Sequence, residues 1–169
     1  MPQINTDEFF NKCIPFLNEI GIETKFEKLD DPCFLPGLSI HNGVIIIDRE
    51  ALRNPGDLLH EAGHIAVVPA AERNTLCASA IEKRALRDAE EIMVLAWSYA
   101  ACVHLHIDPY LVFHDNGYAG GGSYIADSFN DKRYIGLPML QWKGMAFDET
   151  NAALQNRPPY PHMLKWMLD

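Results

Sequence analysis

The pentapeptide His60-Glu61-Ala62-Gly63-His64 constrains the fold more than any other stretch of this chain. Two histidines four residues apart lie one turn above each other on the same helical face, so both imidazoles reach one metal ion. Glu61 projects from the intervening turn, close enough to hold and deprotonate a water on that metal. Such a site needs an unbroken helix set in apolar surroundings. Leu58, Leu59, Ile65 and Val67 supply apolar surface, and no proline interrupts the turn.

The flanking sequence supplies the rest of a small α+β domain. Thr6-Asp7-Glu8 reads as a helix start, Phe9 to Ile20 recur at helical spacing, and Gly21 ends the run. Pro15 lies inside that pattern and predicts a kink or break near Ile14. Ile22 to Lys28 alternates apolar and charged residues, as a half-buried strand does. Residues 30–37 form a loop around Pro32 and Pro36. Asn42-Gly43 between Leu38–Ile40 and Val44–Asp48 marks a hairpin. Asn54-Pro55-Gly56-Asp57 opens the histidine-bearing helix, which should stop near Val68, and Pro69 to Thr75 reads as a loop. From Leu76 or Ser79 to about His106 the pattern predicts one long helix, charged early and apolar on all sides later. Beyond it, residues 107–169 are rich in glycine and aromatics. Tyr118 to Ser123 reads as a flexible stretch over the site, and Met163 to Leu168 as an amphipathic ending docked on the body.

A catalytic zinc has three protein ligands and one open position for water. The third ligand is sought in Glu90 and Glu91, 26 and 27 residues after His64, where the long helix turns apolar. A carboxylate entering a buried segment needs a partner, and a metal provides one. Glu91 shares its helical face with Val94, Ser98 and Cys102, small side chains that let another helix approach. Glu90 shares its face with the bulkier Met93 and Trp97. Phase therefore favours Glu91, with Glu90 as the alternative.

A His-Glu-x-Gly-His helix followed by a Glu-bearing helix resembles the gluzincin branch of zinc peptidases. Within it the chain is most similar to the small intracellular ImmA/IrrE-type proteins, over roughly residues 40 to 105. In that pattern the Glu opens an alanine- and aromatic-rich segment, as Glu91 does ahead of Trp97-Ser98-Tyr99-Ala100-Ala101. The chain departs from it in carrying no Asp four residues after either Glu, the residue many gluzincins use to orient a zinc histidine. The resemblance implies a single zincin-like domain spanning 1–169, with its metal-binding core at about 40–106. It also implies Zn2+ as cofactor and His60, His64 and Glu91 (or Glu90) as ligands. The activity implied is that of a small intracellular metallopeptidase using zinc-bound water activated by Glu61.

Composition narrows the partners. A net charge of −9 excludes the basic face that nucleic acids and anionic membranes require. The longest apolar stretch, Ile92 to Val103, is too short to span a bilayer, and the first residues carry no basic and apolar leader pattern. Cys13, Cys33, Cys77 and Cys102 are scattered without a C-x-x-C pair, which suits reduced thiols in a cytoplasmic protein; Cys77 and Cys102 are expected to be buried and inert. The expected partner is a peptide or protein substrate, and the oligomeric state is open. His114, Tyr118, Tyr124 and Arg133 are candidates for stabilising an oxyanion, each also compatible with an ordinary loop role. His41 and His162 are expected at the surface, Trp97 and Tyr99 in the core. Two other readings stand beside the peptidase: a catalytically inactive zincin-like binding or regulatory protein, and a metal-dependent hydrolase of a non-peptide amide or ester.

Overall fold

The computed structural model describes residues 5–29 and 35–169. Over them the chain is a mixed α+β fold of eight α-helices and one three-stranded sheet. Cys33 and most of the expected 30–37 loop lie outside the described residues.

Helix α1 (Thr6–Glu19) is capped by Asn5, whose side chain accepts a hydrogen bond from the Asp7 amide. The helix runs unbroken through Pro15, contrary to the expected break. Its one lost hydrogen bond is outweighed by burial of Phe9, Phe10, Cys13, Phe16 and Leu17 along a single face.

Strand β1 is short, Thr24–Phe26, and its alternation buries little, since Phe26 is 52% exposed. Strands β2 (Leu38–His41) and β3 (Val44–Ile47) form the expected hairpin, with His41 opposite Val44. Asn42 and Gly43 both take left-handed φ, 52° and 77°, as a two-residue turn matched to strand twist requires. The central strand is β3; β1 joins it in parallel and β2 in antiparallel fashion. That buried position explains its unbroken Val-Ile-Ile-Ile run.

Helix α2 (Asp57–Ala66) carries the pentapeptide and packs along α5 (Arg87–Leu105). A Cβ placed on Gly63 would come within 2.8 Å of Val94 Cγ1 and 3.5 Å of Ser98 Oγ. Glycine here is what lets the two helices touch. Ser98 Oγ donates to the Leu59 carbonyl at 3.3 Å across the same seam.

Two expectations fail between these helices. The 69–75 segment contains a short helix, α3 (Ala70–Arg73), begun by Pro69. The expected continuous helix is two, α4 (Ala78–Glu82) and α5, separated at residues 83–86. In one straight helix Arg84 and Glu90 would face different sides, because six residues do not return to one face. The break lets Arg84 grip Glu90 through two bonds, 2.6 and 2.9 Å, and Glu72 of α3 at 2.7 Å.

After α5 come a 3-10 turn (Pro109–Leu111), α6 (Gly122–Asn130), α7 (Leu137–Trp142) and α8 (Glu149–Gln155). The tail docks as expected but without forming a helix. Trp166 fits against Phe16, Trp97 and His104, with ring centroids 4.9, 5.6 and 5.3 Å away. The Leu168 amide donates to Ala66, a carbonyl at the free C-terminal end of α2, at 2.9 Å. Buried side chains from α1, β2, β3, α2, α4, α5, α6, α7 and the tail form one contiguous hydrophobic cluster that includes Trp97 and Tyr99. Among the described residues, no helix is long and apolar enough to cross a membrane.

Candidate metal centre

The helix α2 brings His60 and His64 one turn apart, with Nε2 atoms 3.2 Å from each other. The α2–α5 contact at Gly63 then sets Glu91 astride both rings. One carboxylate oxygen lies 3.4 Å from His60 Nε2, and the other 3.4 Å from His64 Nε2. Glu61 completes the group: it, His60 and His64 each offer a ligand atom within 4.8 Å of the others. Glu90, the alternative third ligand, is instead committed to Arg84.

Burial sets the protonation states. It pushes His60 down to about 3 and His64 to about 4, so both rings are neutral near pH 7 with a lone pair to give. The contacts with Glu91 are accordingly between neutral rings and a carboxyl group, not between full opposite charges. Burial, reinforced by the carboxylates of Asp57 and Glu91, raises Glu61 to about 8. Burial also raises Glu91. Two partly buried carboxyls next to two neutral imidazoles make a cluster that lacks positive charge.

The donor set fits a small divalent cation. Tetrahedral coordination with zinc bonds near 2.0–2.2 Å puts neighbouring donor atoms about 3.3–3.5 Å apart. The two imidazole nitrogens are 3.2 Å apart, and each lies 3.4 Å from a different oxygen of Glu91. Imidazole nitrogen and carboxylate oxygen are also the donors that zinc accepts.

The cluster faces a cleft of about 540 Å³, inside the size range of ligand sites. The edge strand β2 forms one wall, Ile81 and Glu82 of α4 another, and Arg87, Gly117 and Tyr118 part of the rim. Four residues were candidates for stabilising an oxyanion. Of these, only Tyr118 lines the cleft, and its hydroxyl lies 3.0 Å from His60 Nδ1. The 118–123 stretch thus brings one anchored side chain to the site. His114 sits behind it, its Nε2 2.7 Å from Asp57 Oδ1. Tyr124 is 69% exposed, and Arg133 pairs with Asp131; neither lines the cleft.

In the sequence Asp57 stands out only as part of a helix start. It is a buried carboxylate on the rim of the site, 7% exposed. Its position three residues before His60 was the available signal, since that spacing shares a helical face. Cys77 is half-buried, not buried as expected. Its Sγ lies 3.3 Å from Ser79 Oγ, and that contact lowers the thiol's pKa. Cys102 is buried in the core as expected, and His41 and His162 are exposed.

In comparisons with protein-family models, curated proteins and solved structures, nothing matched the chain.

Proposed function

We propose that this chain is a zinc-dependent hydrolase of peptide or protein substrates, a zincin-like metallopeptidase working in the cytoplasm. His60, His64 and Glu91 hold the ion, and Glu61 is the catalytic base. The observation that carries this reading is the donor set: two neutral imidazoles with their nitrogens 3.2 Å apart and a carboxylate that places one oxygen 3.4 Å from each, the donor types zinc accepts. When bound, zinc supplies Lewis-acid chemistry, polarising a carbonyl and acidifying a water.

The chain's own groups do the rest. Glu61 holds the attacking water in the cleft and takes its proton on a carboxylate oxygen. The new C–O bond forms as the water gives up that proton, and the amide C–N bond breaks when Glu61 returns it to the leaving nitrogen. A carboxyl raised to about 8 by burial suits both halves of the exchange, because it sits close to neutrality. A cation in the site opposes that rise and keeps the carboxylate available as base. The wall formed by Leu38–His41 supports a peptide substrate: its ends are bridged to Leu35 and Cys77, and the middle of the strand edge, at Ser39 and Ile40, lines the cleft where an extended chain could add backbone hydrogen bonds. The cytoplasmic setting is supported by Cys13 and Cys102, buried in the core as free thiols.

Glu61→Gln tests the mechanism. The variant should retain zinc and lose at least ~100-fold in turnover of a fluorogenic peptide library, the scale of a lost general base. Full activity in that variant would remove Glu61 from the mechanism.

A further inference from the structure

The loop that follows α5 is tied to two successive turns of α2, at residues three apart on one face. At the first tie, His114 Nε2 meets Asp57 Oδ1 at 2.7 Å. The Gly117 amide donates to His114 Nδ1 at 3.1 Å, so that nitrogen is the unprotonated one. His114 Nε2 therefore carries the hydrogen and donates to Asp57. At the second tie, Tyr118 Oη and His60 Nδ1 share a hydrogen bond of 3.0 Å, with the two rings edge-to-face at 5.8 Å. The bonds between 114 and 117 turn the chain so that the next residue's side chain points into the cleft. A Cβ on Gly117 would come within 2.9 Å of the His114 ring.

This arrangement supplies what the sequence lacks, a partner for a metal histidine. An imidazole that gives its Nε2 lone pair to a metal must carry its proton on Nδ1, and a hydrogen-bond acceptor there fixes both tautomer and ring angle. Tyr118 Oη is that acceptor for His60. Its reach depends on the Asp57–His114 tie, which spans from the first turn of α2.

We propose that Tyr118 is a positioning residue for His60, and that metal binding and docking of the 114–118 loop are energetically linked through it. The inference rests on the metal reading above. With Nδ1–H donating to Tyr118 Oη, the phenol's own proton is released from His60. Metal binding thus tightens the loop, and a docked loop tightens metal binding, by the same factor.

Tyr118→Phe removes one oxygen and keeps the ring that packs on Phe113. Zinc affinity, read by competition with a chromophoric chelator, should fall about 10–100-fold, the usual cost of losing such a partner. The melting temperature of the metal-free protein should fall only slightly, by the one hydrogen bond lost to His60, and by less than that of the zinc-bound protein. Zinc should slow amide exchange across 114–118 in the wild type and not in Tyr118→Phe. Gly117→Ala, which displaces His114 without touching a ligand, should weaken zinc in the same direction. Wild-type zinc affinity in Tyr118→Phe would overturn this inference alone. A wild type that takes up no zinc would overturn the metal reading and this inference with it.

Discussion

At the scale of single residues, two adjacent carboxylates have opposite assignments. Glu91 faces two imidazoles, whereas Glu90 is held by Arg84 and is only 13% exposed in its side chain. Helical phase alone distinguished them in the sequence, because small side chains on the Glu91 face imply a close neighbour. The fate of Glu90 was not legible there, since its partner becomes reachable only through the break at 83–86. Removing Glu90 leaves Arg84 with Glu72 as its remaining partner. Glu90→Ala should therefore cost about 1.5–3 kcal/mol in urea denaturation, the range for hydrogen bonds to charged groups. It should leave metal content unchanged. Tyr118 and His114 illustrate the opposite limit. No local pattern connects a tyrosine in a glycine-rich loop to a histidine 58 residues earlier, and only tertiary packing reveals the bond.

At the scale of elements, the hairpin and α2 were legible because their signals are chemical and local: Asn-Gly for the turn, glycine and aspartate at the helix start. The division of α4 from α5 was not, because helix-favouring residues run across it and the cause lies in a tertiary ion network. Gly63 is the residue on which the α2–α5 seam depends. Gly63→Val forces side chains against Val94 and Ser98, and overpacking of that kind costs about 1–3 kcal/mol. The same change should move Glu91 off the imidazoles, so zinc affinity should fall together with thermal stability. The end of β3 makes a separate prediction. Asp48 is 6% exposed and accepts backbone hydrogen bonds from Leu29, Glu50 and Ala51, which hold its carboxyl below the usual range. A carboxyl depressed in the folded state stabilises the fold above its unfolded value of about 3.9 and loses that contribution as pH falls below it. Stability measured by denaturant should therefore drop between pH 4 and more acid values. Asp48→Asn should flatten that part of the profile.

At the scale of the whole molecule, the C-terminal residues act as a strap across α1, α2 and α5. Trp166 wedges between Phe16 and Trp97, Trp97 Nε1 donates to the Trp166 carbonyl at 2.8 Å, and Arg73 bonds the Leu168 carbonyl. Trp166→Ala should cost about 2–3 kcal/mol, somewhat below the loss for a fully buried tryptophan because Trp166 is only partly covered. The amphipathic pattern announced that the tail would dock. It did not announce the irregular, non-helical path, because backbone bonds to Ala66 and Met145 replace those of a helix. A metal held at the proposed site would couple to this global stability. A ligand that binds only the folded state adds about 4 kcal/mol at a thousandfold excess over its dissociation constant. Chelation should then lower the melting temperature of wild type and leave His60→Ala unaffected.

All three scales meet in the cluster of His60, His64 and Glu91. Metal content of purified wild type, His60→Ala, Glu91→Ala and Glu90→Ala tests it most directly. The account predicts one zinc per chain in wild type and in Glu90→Ala, and loss of zinc in His60→Ala and Glu91→Ala. Wild type without zinc even after reconstitution, or zinc retained in Glu91→Ala and lost in Glu90→Ala, would contradict it.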